Sequence, residues 1–306
     1  MRSATASQGD GMRLDDERES NNIDDIRGSG GGGGGRGRTP IRIGGIGGVL
    51  LVLGAMYFGV DPRIVLNLLD QGSGGAPAVV AQQQASSPSP TAPASDPQKQ
   101  FISRVLASTE DVWTAYFQQM GKTYHDPRLV LFSGGVRSAC GYAETSVGPF
   151  YCPADQKVYL DLTFFRELKD RLGAGGDFAQ AYVVAHEIGH HVQNELGIME
   201  QVNRSGAAAK GATGTSVRTE LQADCFAGVW ARRADDAKRI LQTGDVEEGL
   251  NAAAAVGDDR LERQAQGYVV PDSFTHGTSA QRASWFRRGL SSGDVRQCDT
   301  FSASTL

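Results

Sequence analysis

The sequence predicts an α+β chain: a mainly helical domain with a small β-sheet, preceded by a single transmembrane helix. Three observations carry this. Ile43 to Val60, IGGIGGVLLVLGAMYFGV, is an uncharged apolar run of 18 residues, just long enough to cross a bilayer core as a helix. FISRVLASTEDVWTAYFQQMG (101–121) spaces Phe101, Val105, Leu106, Val112, Trp113 and Phe117 at helical intervals. Only two short stretches, LVLFSG and VYLDLTFF, read as strands.

Composition divides the 306 residues into four parts. Residues 1–40 are polar, charged and Gly-rich, with too little apolar surface to offset the entropy of ordering, and are expected to be disordered. The apolar run follows as an anchor at 43–60. Forty residues before it argue against a cleaved signal peptide, and a Gly-rich tail and a linker on either side leave nothing for a buried core helix to pack on. Arg36, Arg38 and Arg42 precede the run and Asp61 follows it, so the positive-inside rule predicts a cytoplasmic N-terminus and an exported remainder. The expected location is the bacterial cytoplasmic membrane, single-pass, with the domain on its periplasmic or extracellular side. Gly44 and Gly48 make a GxxxG spacing through which two anchors could pair as a homodimer, a weak signal in so Gly-rich a segment. Residues 61–99, rich in Gln, Ala, Ser and Pro from residue 71 on, read as a linker. The folded domain is expected at 100–306. A net charge of -5 with no basic stripe excludes nucleic acid as a partner.

All four cysteines, Cys140, Cys152, Cys225 and Cys298, lie in that domain. An even count beyond an export anchor suggests disulfides, and the absence of CxxC excludes a zinc ribbon. Four cysteines allow three pairings. The Gly and Pro punctuation of ACGYAETSVGPFYCP suggests a hairpin-like loop joining Cys140 to Cys152, which leaves Cys225 for Cys298.

The chemistry is concentrated in AYVVAHEIGHHVQNELG (181–197), which holds three of the five histidines. His186 and His190 are four apart, so on a helix both imidazoles project from one face, the spacing of two zinc ligands. Glu187 is rotated about 100° from His186, placed to reach a water without ligating the metal. His191 faces away and reads as structural; His125, in KTYHDP, reads as a surface or turn residue. A short motif of three fixed positions needs a third ligand to carry weight. RTELQADCFAGVWA (218–231) supplies Glu220 and Asp224, again four apart on a helical stretch. Glu220 would complete a site of two histidines and one glutamate. Asp224 would accept the free ring N–H of a ligand histidine. The small Ala223, Ala227 and Gly228 suit close packing of the two helices.

HEIGHHVQNELG followed by ELQADCFAG, with GPFYCPADQKVYLD upstream and FTHGTSAQRASWFRRGL near the end, resembles the bacterial putative neutral zinc metallopeptidase family. ESNNIDDIRG, the polyglycine run and the apolar segment are similar to that family's opening, so the likeness covers nearly the whole chain except the linker. The resemblance implies a zincin-like metallopeptidase domain, Zn2+ as cofactor, a peptide or protein substrate, and Asp224 as the residue that orients His186. From related zinc peptidases it also implies that His276, in FTHGTS, stabilises the oxyanion. Thr278 and Gln281 fit a capping box, which places His276 in the loop just before a helix. VYLDLTFF is the candidate exposed strand for a substrate backbone.

The predicted activity is a membrane-anchored, zinc-dependent peptidase, with Glu187 as general base to a metal-activated water. Two other readings stand beside it: a catalytically idle, zinc-stabilised domain that tethers partners at the membrane, and a peptidoglycan-directed amidase. Glu187 favours an enzyme over the tether, because a structural zinc site has no use for a general base.

Overall fold

The computed structural model describes residues 11–28, 96–205 and 210–306. Apart from Asp96, all of them belong to one compact unit. The apolar run 43–60 and nearly all of the linker lie outside the described residues, among which no helix is long and apolar enough to cross a membrane.

The fold is α+β, with the helices dominant. In chain order the elements are β1 (Ile23–Asp25), α1 (Pro97–Gln119), β2 (Arg128–Phe132), β3 (Gly135–Ser138), β4 (Gly141–Glu144), β5 (Phe150–Cys152), β6 (Lys157–Asp161), α2 (Thr163–Asp170), α3 (Asp177–Glu195), α4 (Ile198–Ser205), α5 (Thr215–Lys238), α6 (Asp245–Ala255), α7 (Asp258–Gln266) and α8 (Ser279–Ser292). Helix α1 starts at Pro97, three residues inside the expected linker; proline suits a first helical turn, where its missing N–H has no intrahelical partner to lose. Helix α8 opens with the capping box predicted at Thr278 and Gln281 and closes on Gly293 in the left-handed conformation.

The main sheet runs β1-β2-β6-β5, with β1, β2 and β6 parallel and β5 antiparallel to β6; β3 and β4 form a separate hairpin. This corrects the strand assigned to substrate. VYLDLTFF supplies β6, which is enclosed between β2 and β5 and ends in helix α2. Its Val158, Tyr159 and Leu160 are buried, as expected of a strand paired on both sides. The edge strands of the sheet are β1 and β5.

The second correction concerns the N-terminus. Residues 11–28, expected within a disordered tail, are folded against the domain. Met12 and Leu14 are buried in the main core, and β1 pairs in register with β2 from Ile23 opposite Leu129 to Asp25 opposite Leu131.

Helix α5 runs through the centre. Every residue from Leu221 to Ala231 is buried, as a helix surrounded on all sides requires, and α3 and α8 pack on it. At Gly289 of α8 the two backbones nearly touch: a Cβ there would stand 1.9 Å from the carbonyl oxygen of Cys225. The disulfide Cys225–Cys298 ties α5 to the segment after α8, and Cys140–Cys152 ties the β3–β4 turn to the end of β5. Both pairings are those read from the loop punctuation.

The tight α5–α8 contact gives a stability prediction. Gly289→Ala forces the helices apart, an overpacking that typically costs about 1–3 kcal/mol. A lowered thermal midpoint is the expected result, read by calorimetry; an unchanged midpoint would mean that the helices are not in contact there.

Candidate metal centre

Two helices build the site. On α3, His186 and His190 lie one turn apart on the face towards α5, where Glu220 reaches between them. The Nε2 atom of His186 is 3.2 Å from one carboxylate oxygen of Glu220, and the Nε2 of His190 is 3.4 Å from the other. These three residues can present one donor atom each, all within 4.8 Å of one another. Such convergence needs a close helix crossing. Gly189, between the two histidines, supplies it: a Cβ there would lie 2.9 Å from the carbonyl oxygen of Ala223. Gly228, expected at the same crossing, instead packs against Phe286 of α8.

Behind the donors lies a buried polar cluster. Asp224, wholly buried, accepts a hydrogen bond from Nδ1 of His186 at 2.8 Å, leaving Nε2 on the Glu220 side. Arg282 of α8 grips Asp224 with two hydrogen bonds, from Nε at 2.8 Å and Nη2 at 2.9 Å. The Tyr182 hydroxyl also donates to Asp224. Burial alone would raise the Asp224 pKa, but the charges of Arg282 and His186 outweigh it and hold the carboxyl below its usual range. His190 is fixed differently: its Nδ1 meets the side-chain oxygen of Gln193 at 2.9 Å, and Gln193 is itself anchored to the Thr219 carbonyl and to Gln222.

The field of the site favours positive charge. Burial pulls the His186 pKa down, yet Asp224 and Glu220 raise it to about 9. Burial likewise opposes ionisation of Glu220, but His190 and His186 hold that carboxyl well below the ordinary value. Two imidazole nitrogens, each ring held from behind, and a carboxylate form the donor set of a three-ligand zinc site. The residues present therefore fit zinc.

Glu187, the residue after His186 on α3, is buried. His276 stands in the loop before α8, where it interacts electrostatically with Glu220. Asp258, at the start of α7, holds this loop by accepting from the backbone N–H groups of Thr275, His276 and Gly277 and lies 3.1 Å from Nδ1 of His276. His191 points away from the cluster, as expected, between the Tyr151 hydroxyl of β5 at 3.1 Å and the His125 carbonyl at 2.7 Å. His125 is exposed and its ring pairs with Glu195. Sequence reasoning missed Arg282, Tyr182, Gln193 and Asp258. A second acidic group, Asp177, Asp245 and Glu248, surrounds the N-terminus of α3, where Asp177 and Glu248 accept from the Phe178 N–H; helix capping accounts for these two contacts.

Two substitutions separate ligation from support. Glu220→Gln replaces a carboxylate by a poorer neutral donor, so zinc content of the purified protein is expected to fall while the fold stays intact. Arg282→Met leaves the Asp224 charge buried without its strongest partner, a loss of about 3–5 kcal/mol that should appear as a lowered unfolding midpoint in denaturant. Full zinc content in the first variant would exclude Glu220 as a ligand.

Comparison with known proteins gives the same constellation a family. YpfJ of Escherichia coli K12 is 51% identical over 298 residues, covering 96% of this chain and 100% of YpfJ. Rv2575 of Mycobacterium tuberculosis H37Rv is 44% identical over 264 residues, covering 82% of this chain and 86% of Rv2575. Both are described as uncharacterized proteins. No solved structure matches the chain. A family model described as putative neutral zinc metallopeptidase matches residues 12–301. Its span takes in the metal cluster and the buried Asp224–Arg282 pair, and this chain belongs to that family.

Proposed function

We propose that this protein is a zinc-dependent peptidase that hydrolyses peptide bonds in peptide or protein substrates. One observation carries the reading: His186, His190 and Glu220 converge on one point, and the residue that follows His186 on the same helix is a buried glutamate, Glu187, outside that donor set. A bound zinc ion would supply Lewis acidity towards a water and the scissile carbonyl. Glu187 takes the proton from that water and delivers it to the leaving amine. Asp224 keeps His186 in the tautomer whose Nε2 lone pair faces the site.

His276 is the donor to the developing oxyanion. Asp258 and the Thr275 hydroxyl occupy its Nδ1 side, so the imidazolium form keeps an Nε2 proton to donate. Burial lowers the pKa of this imidazole, but the hydrogen bond to Asp258 and the charges of Glu220 and Asp258 raise it above the usual histidine value. The donating form therefore persists to higher pH than an ordinary histidine would allow. An extended substrate backbone adds to the open edge of β5, whose Tyr151 is tied to α3 through His191 and Asn194.

The test begins with any peptide the purified protein cleaves. Glu187→Gln is expected to keep zinc and the thermal midpoint while turnover falls ~100-fold to ~10,000-fold, the range for loss of a general base. Wild-type turnover in a zinc-loaded Glu187→Gln protein would sink the mechanism.

A pH profile tests the oxyanion donor. His276→Ala should cost on the order of 100-fold in turnover. In Asp258→Asn the His276 pKa loses its main support and falls, so the alkaline decline of activity should move to lower pH. A decline that stays in place would remove His276 from the titration.

A further inference from the structure

The N-terminal segment 11–28 is built into the domain by contacts that no other part of the chain duplicates. Glu110 of α1 is buried, and it accepts hydrogen bonds from Arg18 at 2.7 Å, Ser20 at 2.5 Å and Asn22 at 2.9 Å. Without this segment the Glu110 carboxylate would lose all three, and an unpaired buried charge is strongly destabilising. Glu17 pairs with Lys238 at 2.7 Å, the Arg13 N–H donates to the Ile240 carbonyl at 2.7 Å, and Arg128 pairs with Asp24. Met12 and Leu14 enter the core and β1 completes the sheet.

The chain also leaves and re-enters this domain at one place. Asp25, at the end of β1, and Lys99, in the first turn of α1, form an ion pair of 3.1 Å. Everything between Gly28 and Asp96, the apolar run included, is inserted between two neighbouring points of one folded unit. A single membrane crossing by residues 43–60 would put those points in different compartments, and the contacts above could not form.

We infer that residues 11–28 lie in the same compartment as the disulfide-bonded domain. This replaces the expected topology of a cytoplasmic N-terminus and an exported domain, and it does not depend on the catalytic reading. Two cystine bridges assign the shared compartment to the oxidising side.

The test uses the full chain in bacterial spheroplasts and a membrane-impermeant maleimide. Asp15, almost fully exposed, and Ser302, exposed near the C-terminus, are replaced in turn by cysteine, with the unaltered chain as background. Equal labelling of Asp15→Cys and Ser302→Cys upholds the shared compartment. Labelling of Ser302→Cys with protection of Asp15→Cys until lysis overturns it. A second measurement addresses the packing in the detergent-purified chain, through the thermal midpoints of Arg18→Ala, Glu110→Gln and the double variant. The double variant is expected to fall short of the summed losses, because both single changes break one contact; strict additivity would overturn the docking of residues 11–28 on α1.

Discussion

A carboxylate removed wholly from water must be answered by charge and hydrogen bonds, or it costs several kcal/mol and does not stay ionised. Asp224 is that carboxylate here, and three helices meet at it. Tyr182 and His186 approach from α3, Arg282 approaches from α8, and Asp224 itself stands on α5. Satisfying this one group fixes the relative position of the helices that carry the histidines, the third ligand candidate and the His276 loop. The Cys225–Cys298 bridge begins at the next residue along α5. Gln222, two residues before Asp224, donates to the Cys298 carbonyl at 2.9 Å, so the same turn of helix is held on a second side.

Steric limits complete what the charges begin. The α3–α5 crossing is close because Gly189 faces Ala223, and the α5–α8 crossing because Gly289 faces the Cys225 carbonyl. A side chain at either place would push apart helices that meet at Asp224. Packing and electrostatics therefore demand the same helix geometry, which holds the donor atoms in place. His191 extends the arrangement to the sheet. It follows His190 directly, and its contact with Tyr151 sets the edge strand against the metal-site helix.

What the sequence made legible was whatever depends on spacing within one helix. His186 with His190 and Glu220 with Asp224 are i, i+4 pairs, and the Thr278 capping box is equally local. Arg282 was not legible, because in QRASWFRRGL it is one of three arginines and only the tertiary contact with Asp224 marks it out. The edge strand was misplaced for a similar reason: VYLDLTFF reads as a strand on its own, but a strand's place in a sheet depends on partners far along the chain.

Residues 11–28 were misread because composition averages over a window. GMRLDDERESNNIDDIRG offers four aliphatic side chains and many charges, which is the signature of a segment that cannot make its own core. It does not need to make one. Met12 and Leu14 enter a core built by other elements, and its polar residues are the specific partners of Glu110 and Lys238, 88 to 221 positions away. Polar residues that look like solvation in sequence thus act as addresses in the fold. The same contacts that order the segment keep it with the domain, since a strand hydrogen-bonded to β2 cannot lie across a bilayer from it.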